Sequence, residues 1–166
     1  MVNNNDDEKL ISLEDLLVQK NNPFINDFVK QYLLQKNKIA NNINTRLSFK
    51  VVFLENKKVC FINGFNLVLY DLIQDKILDE VTYKDRSTFL KLIDTKIFIG
   101  GAKTGLKVYA IKNNELTLIQ HFFKDLTVTD IHKDIENGFW LSTTQQGIFY
   151  TPNFYITSYT VKNSNI

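Results

Sequence analysis

Asp134, Asn137, Gly138, Trp140 and Tyr150 crowd into one short stretch, a set able to coordinate a cation or stack a ligand ring. A calcium site would need more clustered oxygen ligands than this turn offers. Asp, Asn and Gly each have a local backbone reason to sit in a hairpin turn. Trp140 could serve as a stacking platform, but aromatic area is mainly core material, and packing between neighbouring repeat units is the expectation. His121 and His132 are the only histidines and lack further ligands at metal-binding spacing. Neither has an identifiable nucleophile or acid partner. Gly100-Gly101-Ala102-Lys103-Thr104-Gly105 superficially suggests a phosphate loop, yet its order is wrong and it joins strand to strand instead of opening a helix. Asp75, Asp79, Glu80 and Asp85 form a loose acidic group of the kind found at solvated turns and strand edges. Cys60 is the only cysteine, which excludes an internal disulfide, and its apolar neighbours suit a buried small hydrophobe. With no catalytic constellation in view, the reading is a non-enzyme without cofactor or metal.

The composition narrows the classes further. Hydrophobic residues make up 44% of the 166 and aromatics 13%, enough for a packed core. Thirteen Phe and seven Tyr against one Trp lean towards strands. A net charge of +2 is too balanced for a polyanion partner, so nucleic acid is not expected. Met1 to Glu8 has neither the basic start nor the apolar stretch of a cleavable secretory signal. No apolar run approaches the roughly 18 residues that span a bilayer as a helix.

The elements that must position these residues fall into two parts, residues 1–45 and 46–166. In the first, Ser12 can cap a helix with Asp15 in the acidic position of a capping box, and Leu13, Leu16, Leu17 and Val18 supply an apolar stripe. Asn21-Asn22-Pro23 breaks it. Phe24, Phe28, Tyr32 and Leu33 then recur at helical spacing, predicting a second helix to about Lys36, with a rival reading as strands. A polar linker follows to Asn42.

Beyond Thr45 the pattern becomes short strands and hairpin turns in three similar units, about 46–86, 87–126 and 127–162. Val59, Ile97 and Phe139 open the second strand of each unit, at spacings of 38 and 42 residues. Asn66, Gly105 and Gly147 end the turn before each third strand, at spacings of 39 and 42, where a residue tolerant of positive φ is expected. Tyr155 to Thr160 reads as the last strand of the third unit. Four short strands on a period near forty predict an all-β fold of propeller-type blades in an incomplete ring, behind a short helical segment.

The third unit resembles the two-component regulator propeller repeat through Asp134, Gly138, Trp140, Ser142, Thr143, Gly147 and Tyr150. The second matches more loosely through Gly100, Gly101, Gly105, Leu106 and Tyr109, and the first mainly through Leu67, Tyr70 and Asp71. The likeness spans about residues 47–160 and implies the periplasmic sensor region of Bacteroidetes-type hybrid or LytTR-associated histidine kinases. In that light the chain reads as a non-catalytic sensory module, a piece or truncated paralogue of a sensor, with a small ligand such as a glycan. The alternative is a protein-interaction scaffold. Three blades also leave two faces without blade neighbours, so self-association through them, or a cap from the N-terminal helices, is expected.

Overall fold

The computed structural model describes residues 10–36, 49–83 and 86–154. The linker expected before Asn42 falls largely outside these, as does the strand expected at Tyr155 to Thr160.

Ser12 opens α1 (Leu13–Val18) with a complete capping box: its side chain accepts from the Asp15 N–H while the Asp15 carboxylate accepts from the Ser12 N–H. Two backbone donors that a helix start leaves unpaired are thereby satisfied. A short 3-10 turn, Gln19–Asn21, leads past Pro23 into α2 (Ile25–Gln35), which settles that stretch as helix and not strand. Leu16, Val29, Tyr32 and Leu33 form the buried stripe. Val18 does not join it; one turn and a half of helix leaves that side chain on the solvent side, 80% exposed.

Eleven strands follow among the described residues: β1 (Lys50–Phe53), β2 (Lys58–Asn63), β3 (Asn66–Asp71), β4 (Lys76–Thr82), β5 (Ser87–Ile93), β6 (Lys96–Gly101), β7 (Gly105–Lys112), β8 (Glu115–Phe122), β9 (Val128–Lys133), β10 (Phe139–Thr143) and β11 (Gly147–Thr151). Each pairs antiparallel with its sequence neighbour, giving blade one (β1 to β4), blade two (β5 to β8) and three described strands of blade three (β9 to β11). Registers coincide between blades. Cys60 faces Leu69, Phe98 faces Val108, and Trp140 faces Tyr150. Even the irregularities repeat, for the outer pair of blade one shifts register between Leu69 and Tyr70, and that of blade two between Val108 and Tyr109.

The turns before the third strands differ. Gly105 and Gly147 take positive φ, +71° and +73°, closing three-residue turns. Asn66 does not. Blade one has a two-residue turn, Gly64-Phe65, and Gly64 supplies the positive φ of +62°. A two-residue hairpin with glycine first has the twist that flanking strands require.

Three apolar layers stack between these elements. Leu16, Val29 and Leu33 of the helices close on Val59, Phe61 and Tyr70 of blade one. The other side of blade one, with Cys60, Leu67 and Leu69, meets Ile97, Ile99 and Tyr109 of blade two. Phe98, Leu106 and Val108 of blade two then meet Ile131, Phe139 and Leu141 of blade three. Helices therefore occupy, against blade one, the place that a preceding blade occupies against blades two and three. The Asn26 side chain ties this cap down by accepting from the Val51 N–H at 3.0 Å.

Candidate interaction surface

The acidic turn that begins at Asp134 organises the outer side of blade three. Asp134 Oδ1 accepts from the backbone N–H groups of Glu136 and Gly138 at 3.0 and 2.8 Å. Its Oδ2 accepts from the Trp140 indole N–H at 3.0 Å. Desolvation pushes the Asp134 carboxyl upward, but these hydrogen bonds, with His132 adding a smaller attraction, outweigh it and hold the group below the usual carboxylate range. Both oxygens are thus engaged as turn acceptors. Asn137 completes the turn at φ +67°. Among the described residues, no three His, Cys, Asp or Glu side chains are grouped to hold a metal ion.

The turn fixes an aromatic pair. Trp140 and Tyr150 lie across the β10–β11 ladder with ring centroids 4.8 Å apart. A Cβ on Gly138 would come within 2.5 to 2.9 Å of the Tyr150 ring, so glycine leaves that ring its place. Thr143 belongs to the opposite end of the hairpin, where its hydroxyl donates to Gly147 O and accepts from the Gln146 N–H, both at 3.0 Å.

Strand alternation puts Trp140, Ile148 and Tyr150 on the side away from blade two. Their equivalents by register are Cys60, Leu67 and Leu69 in blade one, all 0% exposed, and Phe98, Leu106 and Val108 in blade two, at most 2% exposed. In blade three the same positions are 46%, 70% and 48% exposed. Trp140 packs on Tyr150 of its own sheet, and among the described residues no neighbouring blade covers it. Ile148 is the residue of this surface that the motif does not single out. Sequence register alone could have found it, since it follows Gly147 as Leu106 follows Gly105.

The other motif residues serve the stack. Gly100 lies against the Phe89 ring, where a Cβ would come within 2.2 Å. Gly105 is pressed on backbone, its absent Cβ 2.1 Å from the Phe122 carbonyl. Tyr109 is buried against blade one, and Tyr70 donates its hydroxyl to Asp75 beneath the helices. Burial, with Asp75 adding to it, pushes the Tyr70 hydroxyl far up. Burial does the same to the Cys60 thiol, which sits between blades one and two. The acidic group disperses: Asp79 accepts from the Leu116 N–H of blade two at 2.6 Å, Glu80 accepts from Asn66, and Asp85 lies outside the described residues. His121 contacts Thr104 O at 2.7 Å, while His132 stands exposed opposite Trp140. The glycine loop is the β6–β7 hairpin.

A cleft of about 290 Å³ opens between blades two and three, with Phe98, Phe139 and Phe154 among its walls and Asp94, Lys133 and Asn137 at its polar side. Asp94 and Lys133 pair across it at 2.9 Å.

No family model matches the chain, and no curated protein matches it. Solved structures do. A chain in the crystal structure of the Mitotic Checkpoint Complex superposes with a TM-score of 0.52 at 10% identity, over 61% of this chain and 34% of its own. The C-terminal WD40 domain of Sif2 superposes with a TM-score of 0.52 at 14% identity, over 62% of this chain and 33% of its own. The chain spans about a third of the length of these structures. At such identities the likeness is one of fold, and it agrees with the internal repeat: among the described residues this is a β-propeller-type architecture of three blades in an incomplete ring.

Proposed function

We propose that the chain is a protein-interaction scaffold built on propeller blades, and that it recognises its partner through the Trp140, Ile148 and Tyr150 face. The observation that carries this is positional: three large apolar side chains stand exposed where both sister blades bury theirs. Exposed apolar patches of this kind mark interaction surfaces. That one structural neighbour comes from a multiprotein complex supports the same reading. The test is a photo-crosslinker at His132, beside the face, in cells that express the chain. A protein adduct that disappears on Ile148→Glu supports the scaffold. An adduct unaffected by Ile148→Glu, or none at all, overturns it.

The cleft between blades two and three favours a second reading, a sensor for a small ligand in the manner of the two-component regulator propeller. Its phenyl wall and its polar side are the mixture that small-molecule sites use. Here a thermal-shift screen with oligosaccharides decides, since a ligand that binds the folded state raises the melting temperature in a saturable way. A flat screen removes the glycan version.

A further inference from the structure

We infer that one end of blade two binds an acidic, partly apolar segment of a partner protein. The site is separate from the Trp140 face and does not depend on it.

The overall charge of +2 conceals an uneven distribution. The β6–β7 hairpin, the β8–β9 loop and the residue before β5 meet at one end of blade two. The Ala102 N–H donates to Arg86 O at 3.0 Å, the Lys103 N–H to Thr127 Oγ1 at 3.0 Å, and the Gly105 N–H to Leu126 O at 2.9 Å. Those contacts gather Arg86, Lys103 and Lys124, all exposed, with Lys107 half-buried on β7. Lys107 stands over the Tyr83 ring, its Nζ 4.5 Å from the centroid. His121, opposite Lys107 in the ladder, donates from Nε2 to Thr104 O at 2.7 Å. Asp125 is the one acid among the described residues of this end. Lys84 and Asp85, outside the described residues, add one charge of each sign. Among the described residues, no ion pair engages Arg86, Lys103, Lys107 or Lys124. Cations so concentrated raise the local potential, and charge complementarity then selects an anionic partner.

The neighbouring blades decide which anion fits. A nucleic acid is followed along its backbone by a stripe of cations. Here the stripe stops at the blade: the equivalent turns, Thr144-Gln145-Gln146 of blade three and Gly64-Phe65 of blade one, carry no charge. What blade one supplies instead is Phe65, 52% exposed, whose carbonyl accepts from the Tyr83 N–H. Tyr83 is the residue beneath Lys107, so an exposed apolar side chain adjoins the basic group. Glu80, on β4 of blade one, is engaged in accepting from Asn66. A short segment with carboxylates about an apolar residue matches both features, and acidic segments of that kind fold on binding.

The test is fluorescence anisotropy of a labelled peptide, a decamer of Asp and Glu around a central Leu-Phe pair, titrated with the full chain. Saturable binding that weakens as salt rises is the expected result, since exposed charges are screened. Lys103→Glu with Lys124→Glu should raise the dissociation constant about tenfold or more. Lys57→Glu with Lys76→Glu alters the net charge equally at the opposite end of blade one and should change binding less than about twofold. All four lysines are exposed, and thermal unfolding of each variant checks that the fold is kept. Phe65→Ser should weaken this peptide while sparing one in which Gly-Ser replaces the Leu-Phe pair. Absence of saturable binding overturns the inference, as does an equal loss in the two lysine pairs. A single-stranded oligonucleotide of equal charge that binds more tightly than the peptide also overturns it, in favour of a nucleic acid.

Discussion

At the N-terminal end of the stack, Val59, Phe61 and Tyr70 of blade one lie beneath Leu16, Val29 and Leu33 of the helices. At the other end, Trp140, Ile148 and Tyr150 of blade three meet solvent. Both are outer sides of blades with the same register and the same alternation. They differ in what stands opposite. A helical pair with one apolar stripe can satisfy a blade as a neighbouring blade does, since what the sheet needs is apolar area at the right distance. On that side the Trp140 indole, Ser142 and Asp130 are instead engaged within the sheet or with Lys91, while His132 stands exposed.

Equivalent substitutions in sister blades break or sharpen this contrast. Leu106 and Ile148 hold the same place, one buried and one 70% exposed. Leu106→Ala is expected to cost about 2–5 kcal/mol, and Ile148→Ala to stay within about 0.5 kcal/mol, read from urea midpoints in dilute solution. Equal losses at the two sites would mean that blade three is covered after all. Leu33→Ala, beneath which blade one is sealed, should match Leu106→Ala.

The two turn glycines give a smaller effect of the same kind. Gly105 and Gly147 share a positive φ, so alanine at either carries a left-handed strain of about 1–2 kcal/mol. At Gly147 nothing lies within 4 Å of the added Cβ, and strain is the whole cost. At Gly105 the Cβ meets the Phe122 carbonyl, which adds about 1–3 kcal/mol of steric displacement. Thermal unfolding of the two variants side by side checks the difference.

The Asp134 turn gives the smallest effect, seen in pH. Its carboxyl is held below the ordinary value of 3.8, so the contribution is fully present above that pH. It is lost as pH falls through the lower folded value, and with it the hold on Trp140. Tryptophan emission should change in that acid window, and Asp134→Ala should abolish the change. An identical acid response in Asp134→Ala would show that the turn does not govern Trp140.

Much of this was legible before the fold was known. Val59, Ile97 and Phe139 keep step because a blade is a repeated unit, and Ser12 with Asp15 announces a helix start because capping is local. Alternation also tells which side a strand residue faces. It does not tell what stands across from that side, so Trp140 reads as packing between repeat units while it stands half-exposed. For the same reason the stripes that hold Leu16 and Leu33 predict helices that need a surface without naming blade one. Asn66 read as the positive-φ residue of its turn because it aligns with Gly105 and Gly147; a loop one residue shorter moved that role to Gly64.

Collisional quenching of Trp140 by acrylamide, measured in dilute protein, tests the central claim most directly. The account predicts an indole open to quencher in the dilute chain. An indole already shielded at high dilution would contradict it.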